Sequence, residues 1–376
     1  MPSRVRLQSV EFASVRVTER TEWTFALVSD WQGTSAIIET TSGEVVEIIA
    51  DLVTALRGRY IDSEACVSDF LGLDLTELRA NLALGTAVSA LRTAIIELQC
   101  QTEGVGMTEA MGGLRQDSVQ LYANINRTPL VPDRTPTQFG AVAERAVREG
   151  FAVIKCAPFD NIRPPATAGD ILDIARPGLE RVAAIRAAIG PDVHILVDCH
   201  SRFESHTAPL VAEELAKMDV GWFEEPLQPR NDSEGLVGIA KSITIPIAGG
   251  ESAYGESLFT DLVTRGAVKV ITPDIKHCGG VGEALSAGIA ATKAGGRISL
   301  HSPSGPMSLL ASANVTAAMP GTLPLEHAVY EAPWRAEVIS PPEHIEGGRL
   351  RFPGSHGQGA TLNWDIVSRH GRRWRV

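Results

Sequence analysis

The sequence predicts an α/β fold in which a barrel of parallel strands follows an N-terminal α+β domain. Within the first hundred residues, strand-like segments come first and long helical segments second, which is typical of an α+β domain. Short apolar runs then alternate with helical patterns, giving eight candidate strands as in a parallel barrel. A doubly wound open sheet is the competing fold, but no glycine fingerprint follows the first of these runs.

Two periodicities predict the N-terminal elements. Alternating apolar residues at 23–27 and the apolar run 36–38 flank a turn-like segment at 30–33, so an antiparallel meander is expected. Apolar residues three to four positions apart predict helices over 44–56 and 75–98. Strands followed by helices in one segment favour a separate domain.

The region after this domain contains the candidate barrel strands. In chain order they are Val119–Asn124, Phe151–Cys156, Val193–Asp198, Gly221–Glu224, Ile243–Ile247, Val268–Ile271, Arg297–Leu300 and Leu323–Glu326. Helices are predicted between them, for example over 137–149 and 177–188, each closely followed by a glycine that can end a helix. The predicted boundaries are 1–118 for the N-terminal domain, 119–328 for the barrel and 329–376 for a C-terminal segment.

Composition restricts the classes of function. The 376 residues carry 34 Lys and Arg against 45 Asp and Glu, a net charge of −11, which argues against nucleic acid and anionic membranes as partners. The five cysteines form no CxxC pair, so we expect no disulfide framework and a reducing, cytoplasmic location. No signal-like core and no apolar run of 18 residues is visible.

Ionisable residues recur where the later candidate strands end. They are Asp198, Glu224, Glu251, Asp274, His301 and Glu326, at intervals of 23–27 residues. The C-terminal ends of all barrel strands meet at one mouth, where the active sites of this fold lie. A single carboxylate after a strand is commonly a helix cap or a solvated turn residue. Several ionisable residues at the ends of successive strands predict one shared site.

The residue types at these positions indicate a metal site and a base. The carboxylates of Asp198, Glu224 and Glu251 would repel one another in one cup, and a divalent cation removes that conflict. Ligands that are all oxygen suit a hard ion, and Mg²⁺ leaves positions open for water and substrate. Asp274 beside His301 would fix the imidazole tautomer, which makes His301 a candidate general base.

Two more groups are expected near the site. His200 lies two residues after Asp198, on the same side of the chain if the strand continues, and could donate a proton to a leaving hydroxyl. Lys155 ends the second barrel strand and could bind a substrate carboxylate or stabilise an oxyanion. Alternatively, Lys155 pairs with one of the acidic metal ligands.

Six short stretches carry a resemblance to a known family. They are Gly150–Lys155 (GFAVIK), Val197–Arg202 (VDCHSR), Trp222–Pro226 (WFEEP), Ala248–Ser252 (AGGES), Asp274 with Gly279–Gly280, and His301–Pro306 (HSPSGP). In this order they resemble the enolase superfamily, and within it the mandelate racemase subgroup, over nearly the whole chain. The resemblance implies an N-terminal capping domain, a modified TIM barrel of the (β/α)7β type and a C-terminal segment that returns to the cap.

The resemblance also implies a reaction. In the family, the substrate carboxylate binds Mg²⁺, a base removes the α-proton, and a metal-stabilised enediolate forms. Matched residue by residue, the three metal ligands would be Asp198, Glu224 and Glu251. His301 with Asp274 would be the base, and Glu326 would hydrogen-bond the enediolate oxygen. Lys155 stands at the position usually assigned to binding the carboxylate.

One departure from the subgroup pattern changes the expected reaction. Related racemases often carry Lys-x-Lys at the second strand, whereas this chain has Lys155-Cys156-Ala157. His200, together with the His-x-Pro-x-Gly-Pro stretch at 301–306, looks like the acid sugar dehydratases of the galactonate and mannonate dehydratase type. The expected reaction is therefore loss of the β-hydroxyl from a sugar acid, with His200 as general acid, to give a 2-keto-3-deoxy sugar acid.

Other reactions stay open at this point. An epimerase, racemase or cycloisomerase could use the same enediolate of an acid sugar or its lactone. A catalytically silent relative that binds an acid sugar is a third alternative. In the family, two cap loops close over the barrel mouth, and here they correspond to 17–23 and 56–66. The candidate substrate contacts are Thr18, Arg20, Trp23, Arg57, Arg59, Lys155 and Arg202. The expected partner is a small sugar acid, and analogy with relatives suggests a homo-oligomer.

Overall fold

The N-terminal part of the chain starts with an antiparallel sheet. The computed structural model describes residues 3–19, 21–114, 116–128, 132–163, 170–319 and 321–376. Strands β1 (Leu7–Arg16), β2 (Glu22–Asp30) and β3 (Ser35–Thr40) pair in chain order. The predicted meander is therefore confirmed.

This sheet is buried on both faces, although the sequence analysis expected an alternation of apolar and polar positions. On β2, Phe25 and Leu27 pack in the core that the sheet shares with the barrel. Ala26 and Val28 pack on the other face, in the core formed with the N-terminal helices. The difference has a simple cause, because a sheet covered on both sides needs apolar side chains at successive positions.

Helices complete the N-terminal domain. They are α1 (Glu44–Leu56), α2 (Cys66–Leu71), α3 (Leu75–Ala80), α4 (Leu82–Glu103) and α5 (Met107–Ala110). The predicted bounds of α1 are confirmed. The single helix expected over 75–98 is wrong, because the chain leaves helical geometry at Asn81. The Asn81 side chain accepts a hydrogen bond from the Leu84 backbone N–H and thereby caps a new helix.

The barrel follows as strands that alternate with helices. Its strands are β4 (Ser118–Asn124), β5 (Val153–Cys156), β6 (His194–Asp198), β7 (Val220–Glu224), β8 (Ile247–Gly249), β9 (Val270–Ile271), β10 (Arg297–Ile298) and β11 (Leu325–Ala328). Its helices are α6 (Pro136–Arg148), α7 (Ile171–Ile189), α8 (Ala208–Ala216), α9 (Ser233–Ser242), α10 (Glu256–Thr264), α11 (Gly280–Lys293) and α12 (Pro306–Ala318). Among the described residues, eight parallel strands alternate along the chain with seven helices, so the (β/α)7β barrel is confirmed.

The barrel closes between its last strand and its first. Strand β11 pairs in parallel with β4. On its other side, the Leu323 N–H donates to the Ile298 carbonyl at 3.0 Å. Below the mouth, a separate buried cluster fills the barrel interior; its members are Tyr122, Leu196, Trp222, Ala248 and Val270. Since side chains alternate along a strand, this layer forms a floor under the polar groups at the strand ends.

Several predicted element bounds in the barrel are wrong, among them those of α7, β8 and β11. Helix α7 begins at Ile171 rather than at Pro177, which lies inside the helix, because Ile171 and Ala175 bury the first turns against the barrel. Strand β8 begins only at Ile247, the last residue of the run Ile243–Ile247 that was expected to form it. Glu326 does not end its strand but lies inside β11.

The C-terminal segment leaves the barrel and returns to the N-terminal sheet. It contains a 3-10 helix (Arg335–Val338), β12 (Ile339–Ser340), β13 (His344–Glu346), β14 (Arg349–Arg351), β15 (Thr361–Leu362), α13 (Trp364–His370) and β16 (Gly371–Trp374). Strand β14 pairs antiparallel with β4, and β16 with β1. The domain boundaries at 118 and 328 stay predictions. No helix in the described part of the chain combines the length and apolarity needed to cross a membrane.

Candidate active site

Three carboxylates converge at the barrel mouth. Asp198 and Glu224 end β6 and β7 and lie opposite each other in the parallel ladder. Glu251 follows β8 by two residues. One oxygen from each side chain lies within 4.8 Å of the others. This donor set consists only of carboxylate oxygens, so the three residues fit a hard divalent cation such as Mg²⁺.

A tight turn orients Glu251. Gly250 adopts a left-handed conformation with φ +114°, and a Cβ there would lie 2.9 Å from the Phe259 ring. The buried Glu225 carboxylate accepts the N–H groups of Gly250 at 2.9 Å and of Glu251 at 3.3 Å. Glu225 therefore holds the turn that aims Glu251 at the other two carboxylates. The sequence analysis gave Glu225 no role.

Lys155 lies fully buried beneath this cluster. Its Nζ is 2.8 Å from Glu326 Oε1, 3.1 Å from Glu224 Oε1 and 3.5 Å from Asp198 Oδ2. Burial acts to lower the pKa of Lys155, but the surrounding carboxylates raise it well above its ordinary value. The side chain is thus an ion-pair partner of the acidic groups, the alternative that the sequence left open. Its role in binding a substrate carboxylate stays a prediction.

The carboxylates respond differently to their surroundings. Burial raises the pKa of Glu224 to about 7, neighbouring carboxylates add to this, and Lys155 opposes it. Trp222 Nε1 donates to Glu224 Oε2 at 3.0 Å and fixes the side chain from below. Burial also acts to raise the pKa of Asp198, yet Lys155 and His200 hold it below its usual range. The cluster therefore carries repulsion that a bound cation would relieve.

Replacement of Lys155 by methionine is expected to destabilise the protein strongly. Removing the cation leaves buried carboxylates without compensation, which typically costs about 3–5 kcal/mol. Chemical denaturation with divalent cations removed would measure the free energy of unfolding. The control is Lys217→Met, which removes a solvent-exposed pair with Glu214 and should leave that free energy unchanged. A Lys155→Met variant as stable as the wild type would contradict the assignment.

His301 and Asp274 form a hydrogen-bonded pair beside the cluster. His301 Nδ1 is 2.9 Å from Asp274 Oδ2, and its Nε2 is 3.1 Å from Glu251 Oε2. Asp274 also accepts the Lys276 N–H at 2.8 Å. Burial would lower the pKa of His301, but Glu251, Glu326 and Asp274 raise it to about 9. The geometry leaves Nε2 as the ring nitrogen that faces the acidic cluster.

His200 contacts the cluster at another of its members. Strand β6 ends at Asp198, and His200 takes a left-handed conformation with φ +46°, so the strand does not continue as supposed. The imidazole nevertheless lies on the expected side, with Nε2 3.3 Å from Asp198 Oδ2. Its Nδ1 is 2.6 Å from Asp160 Oδ1. Burial opposes protonation, but the two aspartates raise the pKa of His200 to about 11.

Two partners of these groups were missed by the sequence analysis. Asp160, in the loop after β5, had no signal, because nothing in its local sequence marks it. Asn124 did have a sequence signal, because it ends the first barrel strand just as the predicted site residues Asp198 and Glu224 end theirs. Its Nδ2 donates to Glu326 Oε1 at 2.7 Å, and Glu326 Oε2 accepts the Ser302 N–H at 2.9 Å.

A cavity of about 910 Å³ lies between the β1–β2 turn and the barrel mouth. Its lining includes Thr18, Trp23 and Glu39 from the N-terminal domain and Asp160, Glu251, Asp274, Lys276 and His301 from the barrel. Because one wall comes from each domain, the N-terminal sheet covers the candidate site. This arrangement suits a small polar ligand enclosed above the carboxylates.

The predicted substrate contacts are distributed unevenly. Trp23 lines the cavity, but only 3% of the residue is exposed. Within the described residues, Arg57, Arg59 and Arg202 are absent from the cavity lining, and the Arg202 Nε is buried without a hydrogen-bond partner. Arg20 lies outside the described residues. The roles of these residues in binding substrate stay predictions.

Comparison with known proteins identifies the family. Residues 138–366, more than half of the chain, match the family described as enolase C-terminal domain-like. The chain therefore belongs to the enolase superfamily. This assignment confirms the resemblance that the six short stretches indicated.

Several characterised relatives are similar to this chain. It is 29% identical to D-xylonate dehydratase of Haloferax volcanii over 76% of this chain and 69% of that one. It is 28% identical to D-gluconate dehydratase of Thermoproteus tenax, where 76% of this chain covers only 56% of the relative. It is 26% identical to D-galactarolactone cycloisomerase of Agrobacterium fabrum, over 75% and 73% of the two chains.

Solved structures agree on the fold. A mandelate racemase/muconate lactonizing enzyme from Jannaschia sp. CCS1 superimposes with a TM-score of 0.86 over 98% of each chain, at 23% identity. A member of the enolase superfamily from Salmonella Typhimurium gives a TM-score of 0.86 over 99% of each chain, at 21% identity. Both comparisons support a capped (β/α)7β barrel.

Proposed function

We propose that this protein is an enzyme, a Mg²⁺-dependent acid sugar dehydratase. The observation that carries the proposal is the arrangement of two histidine–aspartate pairs at one carboxylate cluster. His301, paired with Asp274, contacts the cluster at Glu251. His200, paired with Asp160, contacts it at Asp198. Dehydration needs one base and one acid at neighbouring carbons of the same substrate, and this arrangement provides both.

The metal would be held by Asp198, Glu224 and Glu251, because their oxygens already converge. Bound Mg²⁺ would supply Lewis-acid stabilisation of the negative charge that develops on the substrate carboxylate. Glu326 lies at the cluster edge, 4.0 Å from His301 Nε2. Burial acts to raise the pKa of its carboxyl, but Lys155 and His301 hold that pKa below its usual value, so its hydrogen bond to the enediolate oxygen stays a prediction from the family resemblance. Lys155 lies beneath these carboxylates and offsets part of their negative charge.

The first step assigned to the protein is proton removal. His301 acts as a base in its neutral form. A cation held by Glu251 would favour that form, because the charge of Glu251 contributes to the raised pKa of His301. His301 Nε2 then takes the proton from C2 of the sugar acid, and the C–H electron pair moves into the enediolate. Asp274 accepts a hydrogen bond from Nδ1–H and supports the imidazolium that forms.

The second step is loss of the β-hydroxyl. His200 donates a proton to the oxygen on C3, the C3–O bond breaks, and water leaves as the C2–C3 double bond forms. The resulting enol takes a proton at C3 and becomes a 2-keto-3-deoxy acid. Asp160 holds His200 through Nδ1 and leaves Nε2 as the donor toward the site.

A two-base racemase is a weaker candidate, because Ala157 replaces the lysine that such enzymes use and Lys155 is engaged by three carboxylates. A cycloisomerase is the second candidate, supported by the similarity to D-galactarolactone cycloisomerase. It would use the same base but protonate a different atom. The homo-oligomeric state, the cytoplasmic location and the absence of nucleic acid and membrane partners stay predictions.

Mg²⁺ is expected to stabilise the folded protein. A ligand that binds only the folded state at 100 times its Kd adds about 2.7 kcal/mol, and here it also relieves carboxylate repulsion. Calorimetry in EDTA and in Mg²⁺ should show a higher Tm with the metal. The shift should disappear in Glu224→Gln and persist in the surface control Glu214→Gln. Equal Tm values for the wild type in both buffers would contradict the metal site.

The function is tested by a substrate screen. Hexonate, pentonate and aldarate stereoisomers are incubated with the protein and Mg²⁺, and 2-keto products are detected by semicarbazide absorbance. We expect a keto product from one or a few sugar acids, which would also identify the substrate. Deuterium uptake at C2 in D₂O without a keto product would instead favour epimerisation or cycloisomerisation. Silence in both assays would favour a binding protein without activity.

A further inference from the structure

A buried carboxylate of the N-terminal domain reaches into the barrel. Glu39 lies on β3, next to the helices of its own domain, and only 5% of the residue is exposed. Its Oε1 accepts the N–H of Gly305 at 2.6 Å, and its Oε2 accepts the N–H of Ser308 at 3.0 Å. Both carboxylate oxygens are therefore used at the start of α12.

Helix α12 lacks a cap of its own. Its N-cap residue is Gly305, which has no side chain to accept the first free N–H groups. Glu39 provides this cap from the other domain. A Cβ at Gly305 would lie 2.7 Å from Glu39 Oε2 and 2.8 Å from the Trp23 ring, so only glycine allows this close approach. The cap is thus built into the packing of the two domains.

The contact between Glu39 and Gly305 lies in the short segment that joins His301 to α12. Each residue between His301 and α12 is held by a side chain from another element. Ser302 N–H donates to Glu326, Pro303 O accepts from Arg127, Ser304 O accepts from Arg335, and Gly305 N–H donates to Glu39. Among these contacts, only the one from Glu39 comes from the N-terminal sheet. It is a direct hydrogen-bonded link between the sheet that covers the site and the segment that carries the base.

The charge of Glu39 is compensated locally. Burial raises the pKa of its carboxyl, whereas Lys276, the two backbone N–H groups and Arg335 act in the opposite direction. The guanidinium of Arg335 also lies 5.2 Å from the centre of the Trp23 ring, and Trp23 packs edge-on against Trp334. Trp23 thus supports the Glu39 contact from the side, which explains why so little of its side chain is exposed.

We propose that Glu39 is a positioning residue that couples docking of the N-terminal sheet to the placement of His301. Glu39 does not touch the reacting atoms in this account. It fixes the 301–305 segment, and His301 Nε2 keeps its distance to the carboxylate cluster as a result. The catalytic part of the proposal rests on the function proposed above, whereas the structural part does not.

The test compares Glu39→Gln and Glu39→Ala with a matched control. The control is Glu283→Gln. Glu283 also bridges the two domains, because it accepts a hydrogen bond from Arg92. Its other hydrogen bond comes from the Glu256 backbone N–H, so it does not contact the 301–305 segment. Amide hydrogen exchange and steady-state kinetics are measured for each variant, well below its Tm. The Gln variant preserves side-chain size, so it keeps the test valid if the Ala variant fails to fold.

The expected result is specific to the 301–310 segment. Its amides should exchange about 5- to 30-fold faster in Glu39→Ala, because a helix cap is lost. The increase should be smaller in Glu39→Gln, because the amide oxygen can still accept one of the two N–H groups. The kcat should fall about 10- to 100-fold, with Mg²⁺ affinity and KM nearly unchanged, because the base is displaced rather than the substrate site. Glu283→Gln should alter neither quantity.

Two results would overturn the proposal. Unchanged exchange over 301–310 would show that Glu39 does not hold the segment. Faster exchange with wild-type kcat would show a structural role that does not reach His301. If the wild-type protein turned over no sugar acid at all, the proposed function would fail, and the exchange measurement would still decide whether Glu39 holds the segment.

Discussion

Replacement of His301 by asparagine is expected to abolish both turnover and exchange of the α-proton with solvent. Nε2 of His301 faces the carboxylate cluster at 3.1 Å from Glu251, and in this account no other group removes the C2 hydrogen. General-base catalysis typically contributes about 10²–10⁴-fold to a rate. Without the base the enediolate does not form, so every later step of the reaction should also be lost.

The His301→Asn variant should still bind Mg²⁺, because asparagine removes none of the three carboxylates. Isothermal titration with Mg²⁺ and proton NMR in D₂O measure the two properties separately. The exposed His206 serves as a control for loss of a histidine, since His206→Asn should keep wild-type kinetics. A near-normal exchange rate in His301→Asn would contradict the assignment of the base.

Replacement of His200 by asparagine should separate the two steps of the reaction. Formation of the keto product is expected to fall about 10²–10⁴-fold, because the leaving hydroxyl loses its proton donor. Exchange of the C2 proton with D₂O should continue, since His301 and Asp274 are untouched. The ratio of exchange to dehydration, measured by NMR and by semicarbazide absorbance on one sample, should rise accordingly.

Asp160→Asn provides a milder version of the same test. It weakens the partner of Nδ1 but leaves the imidazole in place, so dehydration should fall less than in His200→Asn. Loss of C2 exchange in His200→Asn would indicate instead that His200 acts as a base or positions the substrate. Unchanged dehydration in that variant would exclude His200 as the acid.

The fold could be predicted because its signals are local and repeated. Helix α1 has the predicted bounds, and each predicted barrel strand corresponds to a strand within a few residues. The errors occur where tertiary packing dominates. Asn81 divides one apolar pattern into two helices by acting as a cap, and Pro177 lies inside α7 although proline is typical of a helix start.

The candidate site could be predicted where its residues lie at or near the ends of strands. Asp198, Glu224 and Asp274 were predicted because ionisable residues recur at the ends of successive strands. The structure places all three at the barrel mouth. The same reasoning, applied to the first strand, would have found Asn124. The roles of these residues in catalysis stay predictions.

Residues that act through contacts between distant segments gave no sequence signal. Asp160 lies 40 residues from His200 in the chain, and Glu39 lies 266 residues from Gly305. Local periodicity cannot predict such pairs. It shows which residues share one face of a helix or strand, but not which distant residues pack against that face. Trp23, which was predicted as a substrate contact from its loop position, lines the cavity, and its ring also packs against Trp334 and Arg335 of the C-terminal segment.

The most direct test of the account is the reaction of the wild-type protein in D₂O with Mg²⁺ and the sugar acid found in the screen, followed by proton NMR. The account predicts that the C2 proton is lost and that a 2-keto-3-deoxy acid appears with one deuterium at C3. This pattern follows because C2 loses its hydrogen and the enol takes a proton from solvent. A product that retains the original C2 hydrogen, or exchange at C2 with no keto product, would contradict dehydration through His301 and His200.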